Sequence, residues 1–360
     1  MVSVSPIKVV FVIPSLDSGG IENYLLRFLQ FAKIEVTPIV VVRNYNKGVL
    51  YDAYLELCSE VYFAPIGVLN PKKKRQFYKL LCSFEATHVV DFNANFAGWT
   101  MLLARLAKYK HRITFYRQGK DHFKKSIFKT FYNAFLNQLV YTFSTQILSN
   151  SNSALLFFFP NRFKEAKFRV IYNGIDFKKF RQEPDKVAVR NQLNLPLNNF
   201  IIGHSGRLDP MKNHELIIKL ASACQTVHPE VLFVLVGEGT EKIQCLSENI
   251  ISLGYKNNVD QYLSAFDAFI FPSFSEGQPN AMIEAMASGL PILASNIPSI
   301  KECIPDEQHD LLLDPSDLDA FNNSLKKLIS NPTIYKIDSQ YVAHHFDGAV
   351  NFGNFLNTLH

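Results

Sequence analysis

The stretch NFIIGHSGRLDPMKNHELIIKLASACQ, residues 199–225, decides the fold class of this chain. Its apolar start is typical of a buried strand, and Gly206 marks a turn after that strand. The residues that follow repeat apolar side chains every 3.6 positions, on one face of a helix, namely Leu216, Ile217, Leu220, Ala221 and Cys224. The stretch therefore predicts a strand, a glycine turn and a helix, which is the repeating unit of a parallel sheet.

The same pattern begins the chain. IKVVFVIPS, residues 7–15, is a short apolar run, and LDSGG, residues 16–20, is a glycine turn before another helical stripe. Further predicted strands are TPIVVV (37–42), THVVDF (87–92), HRITFY (111–116), TQILSN (145–150), VLFVLVG (231–237), DAFIFPS (267–273) and PILASN (291–296). We predict an α/β protein of two doubly wound domains, residues 1–172 and 173–342, with a weakly helical segment at about 343–360 as a candidate to pack back onto the first domain.

The composition limits the classes of protein to consider. The chain has 360 residues, of which 48% are hydrophobic, and is long enough for two cores. No apolar run approaches the roughly 18 residues of a membrane-spanning helix, and the first residues lack the pattern of a signal peptide, so we expect a cytoplasmic protein. The cysteines and histidines have no metal-ligand spacing, so we predict no metal site and assign no role to His204, His214 or His228.

Charge divides the chain into two halves. Residues 1–172 hold 23 Lys and Arg against 10 Asp and Glu, whereas residues 173–360 hold 14 against 22. A basic half is compatible with nucleic acid, with anionic lipid or with an anionic substrate. The sequence contains no recognisable nucleic-acid-binding module, so we expect no nucleic-acid partner.

Two segments of the basic half combine aromatic and basic residues. DHFKKSIFKTFYNAFLNQLVYTF, residues 121–143, has an apolar helical ridge beside lysines; the ridge is Phe123, Ile127, Phe131, Phe135 and Leu139, and the lysines are Lys124, Lys125 and Lys129. PKKKRQFYK, residues 71–79, is densely basic. Both suit an anionic membrane surface, so we expect peripheral attachment to the inner face of the plasma membrane. The alternatives are a ridge that belongs to the core and a solvated helix face.

The stretch SEGQPNAMIEAMASGLP, residues 275–291, predicts an anion site. Pro279 is typical of a helix start and Gly289 of a helix end. Glu276 then lies in the loop before the helix, and Glu284 lies in its second turn. A helix N-terminus binds phosphate, while flanking carboxylates accept hydrogen bonds from hydroxyl groups. The implied ligand has phosphate in the middle and hydroxyl groups at both ends, which is the layout of a nucleotide sugar.

Two further turns carry groups that suit a diphosphate. In GHSGRLDPMKNH, within the first stretch, Arg207 and Lys212 can neutralise the charge on a departing nucleotide. In LDSGGIEN, residues 16–23, Gly19 and Gly20 let the backbone approach a phosphate because they have no side chains. Taken alone, each turn is more typical of an ordinary turn or a solvated surface than of a phosphate site.

The ordered set of these motifs resembles the family 4 glycosyltransferases of the GT-B fold. The set reads GG-x-E, NG-I-D, G-R-x4-K-N, VGEG and E-G-x-P-N-x3-E-A-x-A-x-G-x-P, and it covers nearly the whole chain. The resemblance is especially to the bacterial enzymes that build capsule, exopolysaccharide and lipopolysaccharide repeats. It implies two Rossmann-like domains facing each other across a cleft, with the acceptor side in the first and the nucleotide-sugar donor in the second.

The resemblance also implies roles for individual residues. Glu276 contacts the hydroxyl groups of the donor sugar, Glu284 holds the ribose, and Arg207 and Lys212 bind the diphosphate. The other residues implied to line the donor cleft are Gly19, Gly20, Gly206, Gly277, Gln278, Asn280, Ala281 and Met282. The base, which by the habit of the family is that of a uridine nucleotide, is implied to meet backbone groups of SLGYKN at Leu253, Gly254 and Tyr255.

The segment RITFYRQGKDHF, residues 112–123, departs from the family. Many relatives carry a histidine here that faces the donor sugar, whereas this chain has Arg117, with His122 as an alternative substitute. The family retains anomeric configuration, so the acceptor hydroxyl attacks from the face that the diphosphate leaves. We expect the chain to have no D-x-D carboxylate pair, so Arg207, Lys212 and a helix N-terminus are expected to replace a divalent metal, and no other cofactor is expected.

Two other classes of protein remain as alternatives. The first is a catalytically silent nucleotide-sugar-binding scaffold in a polysaccharide assembly complex, against which the intact motif residues argue. The second is a dinucleotide dehydrogenase, but neither glycine turn reads G-x-G-x-x-G. On the acceptor side, Asp91 and Asn93 follow a predicted strand and suit either a sugar hydroxyl or the capping of a turn.

Overall fold

The computed structural model describes residues 6–17, 19–58, 60–67, 70–117, 127–181, 184–243 and 247–360, with the side chains of residues 127–129 left aside. These residues form two compact units. The N-terminal unit consists of Met1–Asn173 and Asn351–His360, and the C-terminal unit consists of Gly174–Val350. The N-terminal unit is therefore built from two separate segments of the chain.

The described part of the N-terminal unit contains a parallel sheet of seven strands. They are β1 (Ile7–Ile13), β2 (Val36–Val42), β3 (Glu60–Phe63), β4 (His88–Asp91), β5 (His111–Tyr116), β6 (Gln146–Ser149) and β7 (Phe168–Val170). Their order is β3-β2-β1-β4-β5-β6-β7, with all neighbours parallel. The order reverses between β1 and β4, and ligands bind at the carboxyl ends of strands at such a switch point.

Helices alternate with these strands along the chain. They are α1 (Gly20–Phe31), α2 (Tyr51–Leu57), α3 (Pro71–Ser83), α4 (Gly98–Leu106), α5 (Ile127–Phe143) and α6 (Asn152–Phe158). Local capping starts two of them. The side chain of Asn70 accepts from the N–H of Lys73 before α3, and that of Ser151 accepts from the N–H of Ala154 before α6.

The C-terminal unit repeats the architecture with five strands among its described residues. They are β8 (Phe200–Ser205), β9 (Val231–Val236), β10 (Ile250–Ser252), β11 (Ala268–Phe271) and β12 (Ile292–Ala294), in the order β10-β9-β8-β11-β12 and all parallel. The helices are α7 (Phe177–Phe180), α8 (Lys186–Gln192), α9 (His214–Val227), α10 (Val259–Ala265), α11 (Asn280–Ala287), α12 (Pro298–Lys301), α13 (Leu318–Ser330) and α14 (Ser339–Phe346). The switch point lies between β8 and β11. Both sheets therefore have the predicted doubly wound α/β form.

The last helix, α15 (Gly348–Asn357), begins in the C-terminal unit and passes into the N-terminal unit at Asn351. The ring of Phe355 lies 4.4 Å from that of Phe28, and the ring of Phe352 lies 5.3 Å from that of Tyr24. The C-terminal residues thus complete the core around α1, in the unit to which the sequence assigned them.

The boundaries of the units differ from the predicted ones, residues 1–172 and 173–342. The first unit runs one residue further, to Asn173, and the second runs to Val350. Residues 343–350 stay with the C-terminal unit because Ile175 pairs with Asp347 in a bridge and accepts a hydrogen bond from the N–H of Gly348 at 2.8 Å.

The exposed face of α5 contradicts the alternative that its aromatic ridge belongs to the core. Phe131 is 74% exposed and Phe135 is 47% exposed. Leu136 and Val140 are the buried side chains of this helix. Phe123, Lys124 and Lys125 lie outside the described residues, as do the side chains of Ile127 and Lys129.

Candidate active site

The turn after β8 is held by the loop after β9. The N–H of Gly206 donates to Val236 at 2.9 Å, and the N–H of Leu208 donates to Glu238 at 2.7 Å. Gly237 has a φ of +151°, and a Cβ at this position would lie 2.1 Å from the carbonyl oxygen of Gly206. Only glycine permits so close an approach of two backbones. Backbone contacts therefore fix the turn that carries Arg207.

The same turn is tied to the loop after β11. Asn213 has a left-handed φ of +56°, which Asn tolerates better than most residues. Its side-chain amide donates to Pro272 at 3.2 Å and to Pro315 at 2.8 Å. The N–H of Phe274 donates to Met211 at 2.8 Å. These bonds hold the ends of β8 and β11 together beside the switch point.

This arrangement brings together Lys212 and Glu276. The Nζ atom of Lys212 lies 2.7 Å from Oε1 of Glu276, and the two side chains are 21% and 9% exposed. The ammonium also lies 5.3 Å from the ring centre of Phe271. Because Lys has three donors, it can hold the carboxylate and a bound anion together. The residues predicted for the diphosphate and for the sugar hydroxyls are thus direct neighbours.

Arg207 lies on the solvent side of the same turn. Its side chain is 71% exposed, and its Nη2 atom lies 3.4 Å from Oδ2 of Asp209. An exposed pair of this kind contributes little to stability. Most of the guanidinium surface is therefore accessible to an anion.

The predicted helix start at Asn280 is confirmed by α11. The N–H of Asn280 donates to Gln278 at 2.9 Å, and the N–H of Ile283 donates to Pro279 at 3.0 Å. Ala281 and the residue after it are in the first turn, where N–H groups have no partner inside a helix. This end of α11 follows the Glu276 loop and presents N–H donors and the positive end of the helix dipole.

The side chains of α11 divide between the core and the predicted site. Met282 is fully buried, so among the predicted donor residues it can contribute only its backbone. Gln278 is buried, and Glu284 is half-buried in the second turn. Gly289 has a φ of +71° and ends the helix as predicted.

The segment predicted to meet the base is a tight turn after β10. Gly254 has a φ of +70°, and Tyr255 is 73% exposed. The N–H of Leu253 donates to Leu235 at 2.9 Å, and that of Gly254 donates to the Thr240 hydroxyl at 3.0 Å. Because these N–H groups are engaged, a base would meet the carbonyl oxygens or Tyr255.

In the N-terminal unit, Gly19 and Gly20 have different surroundings. A Cβ at Gly19 would lie 2.4 Å from Oε2 of Glu22, whereas a Cβ at Gly20 would have no neighbour within 4 Å in the described residues. Glu22 is buried and accepts from the Ser15 hydroxyl at 2.8 Å. Gly19 therefore makes room for a carboxylate of its own chain, and Gly20 is the glycine with open space for a ligand.

Arg117, at the end of β5, is partly buried beside α1. Its guanidinium lies 3.6 Å from the ring centre of Tyr24, and its Nη2 atom donates to the side chain of Asn173. Burial lowers the pKa of Arg117 to about 10, so the group remains charged at neutral pH. Its Nη1 atom has no hydrogen-bond partner in the part of the chain that the structure describes. His122 lies outside that part.

Asp91 and Asn93 form a capped turn after β4. Oδ1 of Asp91 accepts from the backbone N–H of Asn93 at 2.7 Å and from its side-chain amide at 2.8 Å. Burial raises the pKa of Asp91, and the nearby Arg43 lowers it. The structure thus supports the capping alternative over a sugar contact.

The described residues carry neither a cluster of metal ligands nor a helix that could span a membrane. They contain no group of three or more His, Cys, Asp or Glu side chains that could hold a metal ion. The expectation that the chain has no D-x-D pair is wrong, because Asp317 and Asp319 form one. This pair lies outside the motif segments, and Asp317 caps α13 by accepting from the N–H of Ala320. Among the same residues, the helices are too short or too polar to cross a membrane.

The chain is similar to known glycosyltransferases in sequence. Residues 185–343 match the family described as glycosyl transferases group 1. Over 354 residues, the chain is 26% identical to a Campylobacter jejuni enzyme named N-acetylgalactosamine-N,N'-diacetylbacillosaminyl-diphospho-undecaprenol 4-alpha-N-acetylgalactosaminyltransferase, covering 92% of this chain and 94% of the relative. It is 31% identical over 180 residues to the Escherichia coli UDP-Gal:alpha-D-GlcNAc-diphosphoundecaprenol alpha-1,3-galactosyltransferase, a match that spans 47% of this chain and about half (46%) of that relative.

Solved structures show the same fold. Anabaena HepE, in complex with UDP and glucose, superposes with a TM-score of 0.77 at 21% identity, covering 98% of this chain and 99% of HepE. WaaG, a glycosyltransferase involved in lipopolysaccharide biosynthesis, superposes with a TM-score of 0.69 at 16% identity, with coverage of 98% and 99%.

Fold, motifs and family match together define a glycosyltransferase of the GT-B fold. The match over residues 185–343 agrees with the resemblance of the motifs to the family 4 glycosyltransferases, and a Staphylococcus aureus glycosyltransferase of capsular polysaccharide biosynthesis is 26% identical over 339 residues, covering 90% of this chain and 91% of the relative.

Sequence reasoning gave no role to three residues that shape these turns, one in the N-terminal unit and two in the C-terminal unit. Glu22 fills the space beside Gly19, Asn213 ties two loops together, and Gly237 admits the backbone of Gly206. Each stands inside a motif quoted from the sequence. The available signal was the residue type, because Asn and Gly are the residues that accept left-handed or crowded backbone.

Proposed function

We propose that this protein is a retaining glycosyltransferase that moves a sugar from a UDP-sugar to a saccharide or lipid-linked saccharide acceptor in cell-surface polysaccharide synthesis. The observation that carries the proposal is the pair of Lys212 and Glu276, 2.7 Å apart, at the switch point of the C-terminal sheet. A cation for a diphosphate and a carboxylate for sugar hydroxyls stand side by side there. In a nucleotide-sugar donor the sugar is joined directly to the diphosphate, so the groups that would bind to Glu276 and Lys212 are neighbours in the donor as well.

The choice of donor and acceptor is supported by the relatives. The Escherichia coli relative is named for UDP-Gal, and HepE was crystallised with UDP. The names of the Escherichia coli and Campylobacter jejuni relatives both contain a saccharide linked to diphosphoundecaprenol. By analogy, we infer a UDP-sugar and a lipid-linked saccharide for this chain.

In the proposed reaction, the protein supplies position and charge. Arg207, Lys212 and the N-terminus of α11 stabilise the negative charge that develops on the departing diphosphate. Glu276 orients the sugar by accepting hydrogen bonds from its hydroxyl groups, and Glu284 does the same for the ribose. Because Arg207 and Lys212 supply this positive charge, we expect turnover without a divalent metal.

Arg117 is proposed to serve the sugar end of the donor in place of the family histidine. Its charge and the Nη1 atom without a partner in the described residues support this role. Gly20, with open space beside it, is proposed to let the backbone approach the phosphates. His122 remains the alternative to Arg117.

Calorimetric titration of UDP, GDP and ADP in the presence of EDTA tests the donor site. We expect UDP to bind to the wild type, and the substitution Glu284→Ala to weaken binding at least about tenfold, the effect of losing a hydrogen bond to a charged group. Glu215→Ala is the matched control because Glu215 is exposed on α9 of the same unit, and its affinity should not change.

Each alternative outcome has a distinct meaning. Absence of binding for all three nucleotides would contradict the donor site. UDP binding without release of UDP from any sugar nucleotide in a donor panel, with lipid-linked acceptors present, would favour the silent scaffold. Activity that EDTA abolishes and Mg²⁺ or Mn²⁺ restores would contradict the metal-independent mechanism.

We further propose that an aromatic–basic face of the N-terminal unit binds an anionic membrane. This face consists of Lys74, Trp99, Phe131, Tyr132 and Phe135. Lys74 lies 3.2 Å from the ring centre of Trp99, and Trp99 lies 6.0 Å from Phe135 and donates to the Tyr132 hydroxyl at 3.2 Å. Trp99 thus joins the two segments, on α3 and α5, that the sequence suggested separately. Exposed Phe beside Trp, Tyr and Lys suits the interface between lipid and water.

Co-sedimentation with phosphatidylcholine vesicles, with and without phosphatidylglycerol, tests this face. We expect binding to require the anionic lipid and to fall strongly in the double substitution Phe131→Ser with Phe135→Ser. Val49→Ser is the control, because Val49 is 80% exposed in the same unit but lies outside the face. Binding that ignores the anionic lipid or survives the double substitution would contradict the proposal.

A further inference from the structure

We propose that His204 and His214 are positioning residues for Lys212, and that Nε2 of His204 is the atom that supports the Gly206 turn. The proposal rests on the proposed function, because this turn carries the residues assigned to the diphosphate.

The tautomer of His204 is defined by its neighbour on the sheet. His204 is fully buried on β8, and its Nδ1 atom lies 2.9 Å from the carbonyl oxygen of Ile270 on β11. A carbonyl oxygen only accepts, so Nδ1 carries the hydrogen. In the neutral ring, Nε2 is then an acceptor, and it has no hydrogen-bond partner among the described residues.

This Nε2 atom of His204 faces the turn at Gly206. A Cβ at Gly206 would lie 3.1 Å from Nε2 of His204 and 3.6 Å from Cδ of Lys212. The imidazole and the stem of the lysine therefore border the same glycine. Gly237, after β9, borders the turn from another side, so the turn lies between backbone that follows β9 and an imidazole from β8.

His214 and two phenylalanines complete the support. The ring of His214, at the start of α9, meets that of His204 edge to face at 4.9 Å. Phe269 and Phe271 lie 6.2 Å and 5.9 Å from His204, and Lys212 lies over Phe271. A continuous set of contacts thus leads from the centre of the sheet to the ammonium group.

Both imidazoles are uncharged at neutral pH. Burial, followed by His214 and other neighbours, lowers the pKa of His204 to about 3. Burial also lowers the pKa of His214, and Lys212 acts in the same direction. The rings can therefore lie behind Lys212 without repelling it from Glu276.

Two substitutions separate the roles of the two ring nitrogens. His204→Asn keeps an N–H near the position of Nδ1, whereas His204→Gln carries an amide oxygen to the position of Nε2. By calorimetry on the full chain, we expect UDP affinity to fall about fivefold in His204→Asn and to stay within about twofold of wild type in His204→Gln. His214→Leu should behave like His204→Asn, and the control His228→Asn, in a surface loop, should match the wild type.

A purely structural role predicts the opposite order. His204→Gln loses the bond to Ile270, so an affinity that follows thermal stability would be lower in His204→Gln than in His204→Asn, and this would overturn the proposal. An affinity equal to that of the wild type in both His204→Asn and His214→Leu would also overturn it. If the His204 variants do not fold, the ¹⁵N chemical shifts of the imidazoles in the wild type test the proposal. It requires that His204 is the Nδ1–H tautomer and that the ¹⁵N shift of its Nε2 atom changes when UDP is added. A wild type that binds no UDP contradicts the proposed function itself.

Discussion

At the scale of single residues, Lys212 and Glu276 form an ion pair in a largely buried position, where an unpaired charge would destabilise the folded protein. Their side chains are mostly removed from water, and each is the ion-pair partner of the other. Breaking a buried pair leaves the remaining charge without compensation, which costs more than the pair itself contributes. The ligand-free protein therefore depends on the same pair as the proposed reaction.

A double-mutant cycle tests this dependence. We expect Lys212→Met to destabilise the ligand-free protein by about 2 kcal/mol, because the Glu276 carboxylate loses its charged partner. Glu276→Gln should cost less, since the amide oxygen still accepts from the ammonium. The double variant should be more stable than the sum of the two losses predicts, as measured by scanning calorimetry. Simple additivity would show that the two side chains do not interact in solution.

Substitution of Gly237 tests the close approach between the loop after β9 and the turn after β8. Gly237→Ala should destabilise the protein by at least about 2 kcal/mol, because it adds a left-handed residue and places Cβ against the backbone of Gly206. Gly289→Ala is the matched control with a φ of +71° and no neighbour within 4 Å in the described residues, and it should cost only about 1 kcal/mol in thermal unfolding. Equal costs would mean that the backbones can separate freely.

The sequence predicted the residues of the site better than their contacts. Glycine turns, a helix start and a stripe of apolar residues indicated where Lys212 and Glu276 lie in their own loops. The contact between them joins positions 64 apart and depends on how Asn213 ties the loops together. Local patterns carry no information on such a contact, and the role of a buried His204 was hidden for the same reason.

At the scale of elements, α15 supplies a wall of the N-terminal core. Phe355 is fully buried against Phe28, and its ring also lies 5.4 Å from that of Phe115. We expect Phe355→Ala to destabilise this unit by about 3–5 kcal/mol. Phe131→Ala, on an exposed ring, should stay within about 0.5 kcal/mol of the wild type. A small effect of Phe355→Ala in calorimetry would mean that α15 is not docked in solution.

A pair of histidines on strands β4 and β5 makes the stability of the N-terminal unit depend on pH. The rings of His88 and His111 stack at 4.1 Å, and burial, followed by His111, lowers the pKa of His88 to about 4. The unfolded chain has an ordinary pKa of about 6.5 and takes up the proton first, so stability falls as the pH drops from about 6.5 towards 4.

The substitution His88→Phe should reduce this acid sensitivity. The slope of stability against pH between 6.5 and 4.5 should become smaller by up to about 1.4 kcal/mol per pH unit, because one titrating group is removed. Urea unfolding at several pH values measures the slope, with His228→Asn as the control. An unchanged slope would show that His88 is protonated in the folded protein as well.

The strands that the sequence failed to predict include β3 and β10, each at an edge of its sheet. Inside the sheets, residues 9–13 of β1 and the whole of β9 are continuous apolar runs, because both faces are covered. In contrast, β3 and β10 lie at the edges of their sheets and are half-exposed or exposed throughout. Such strands need no apolar run, and their place in the sheet is decided by the neighbouring strand.

At the scale of the whole molecule, the donor residues of the C-terminal unit lie on one continuous segment. Lys212, Glu276 and Glu284 all fall within Gly174–Val350, together with every strand of that sheet. We expect the fragment 174–350 to fold alone and to bind UDP within about tenfold of the full chain's affinity, as measured by calorimetry. A folded fragment that does not bind UDP would assign the missing affinity to groups of the N-terminal unit such as Gly20.

The division of the N-terminal unit into Met1–Asn173 and Asn351–His360 also has a consequence for synthesis on the ribosome. Domains usually fold in the order in which they are translated. Here, the core around Phe28 lacks Phe352 and Phe355 until the last turns of α15 have left the ribosome, whereas all strands of the C-terminal unit have emerged before them. Of the two units, the one whose first segment is translated earlier is thus completed later, and we expect its incomplete aromatic core to be accessible to chaperones while its neighbour is synthesised.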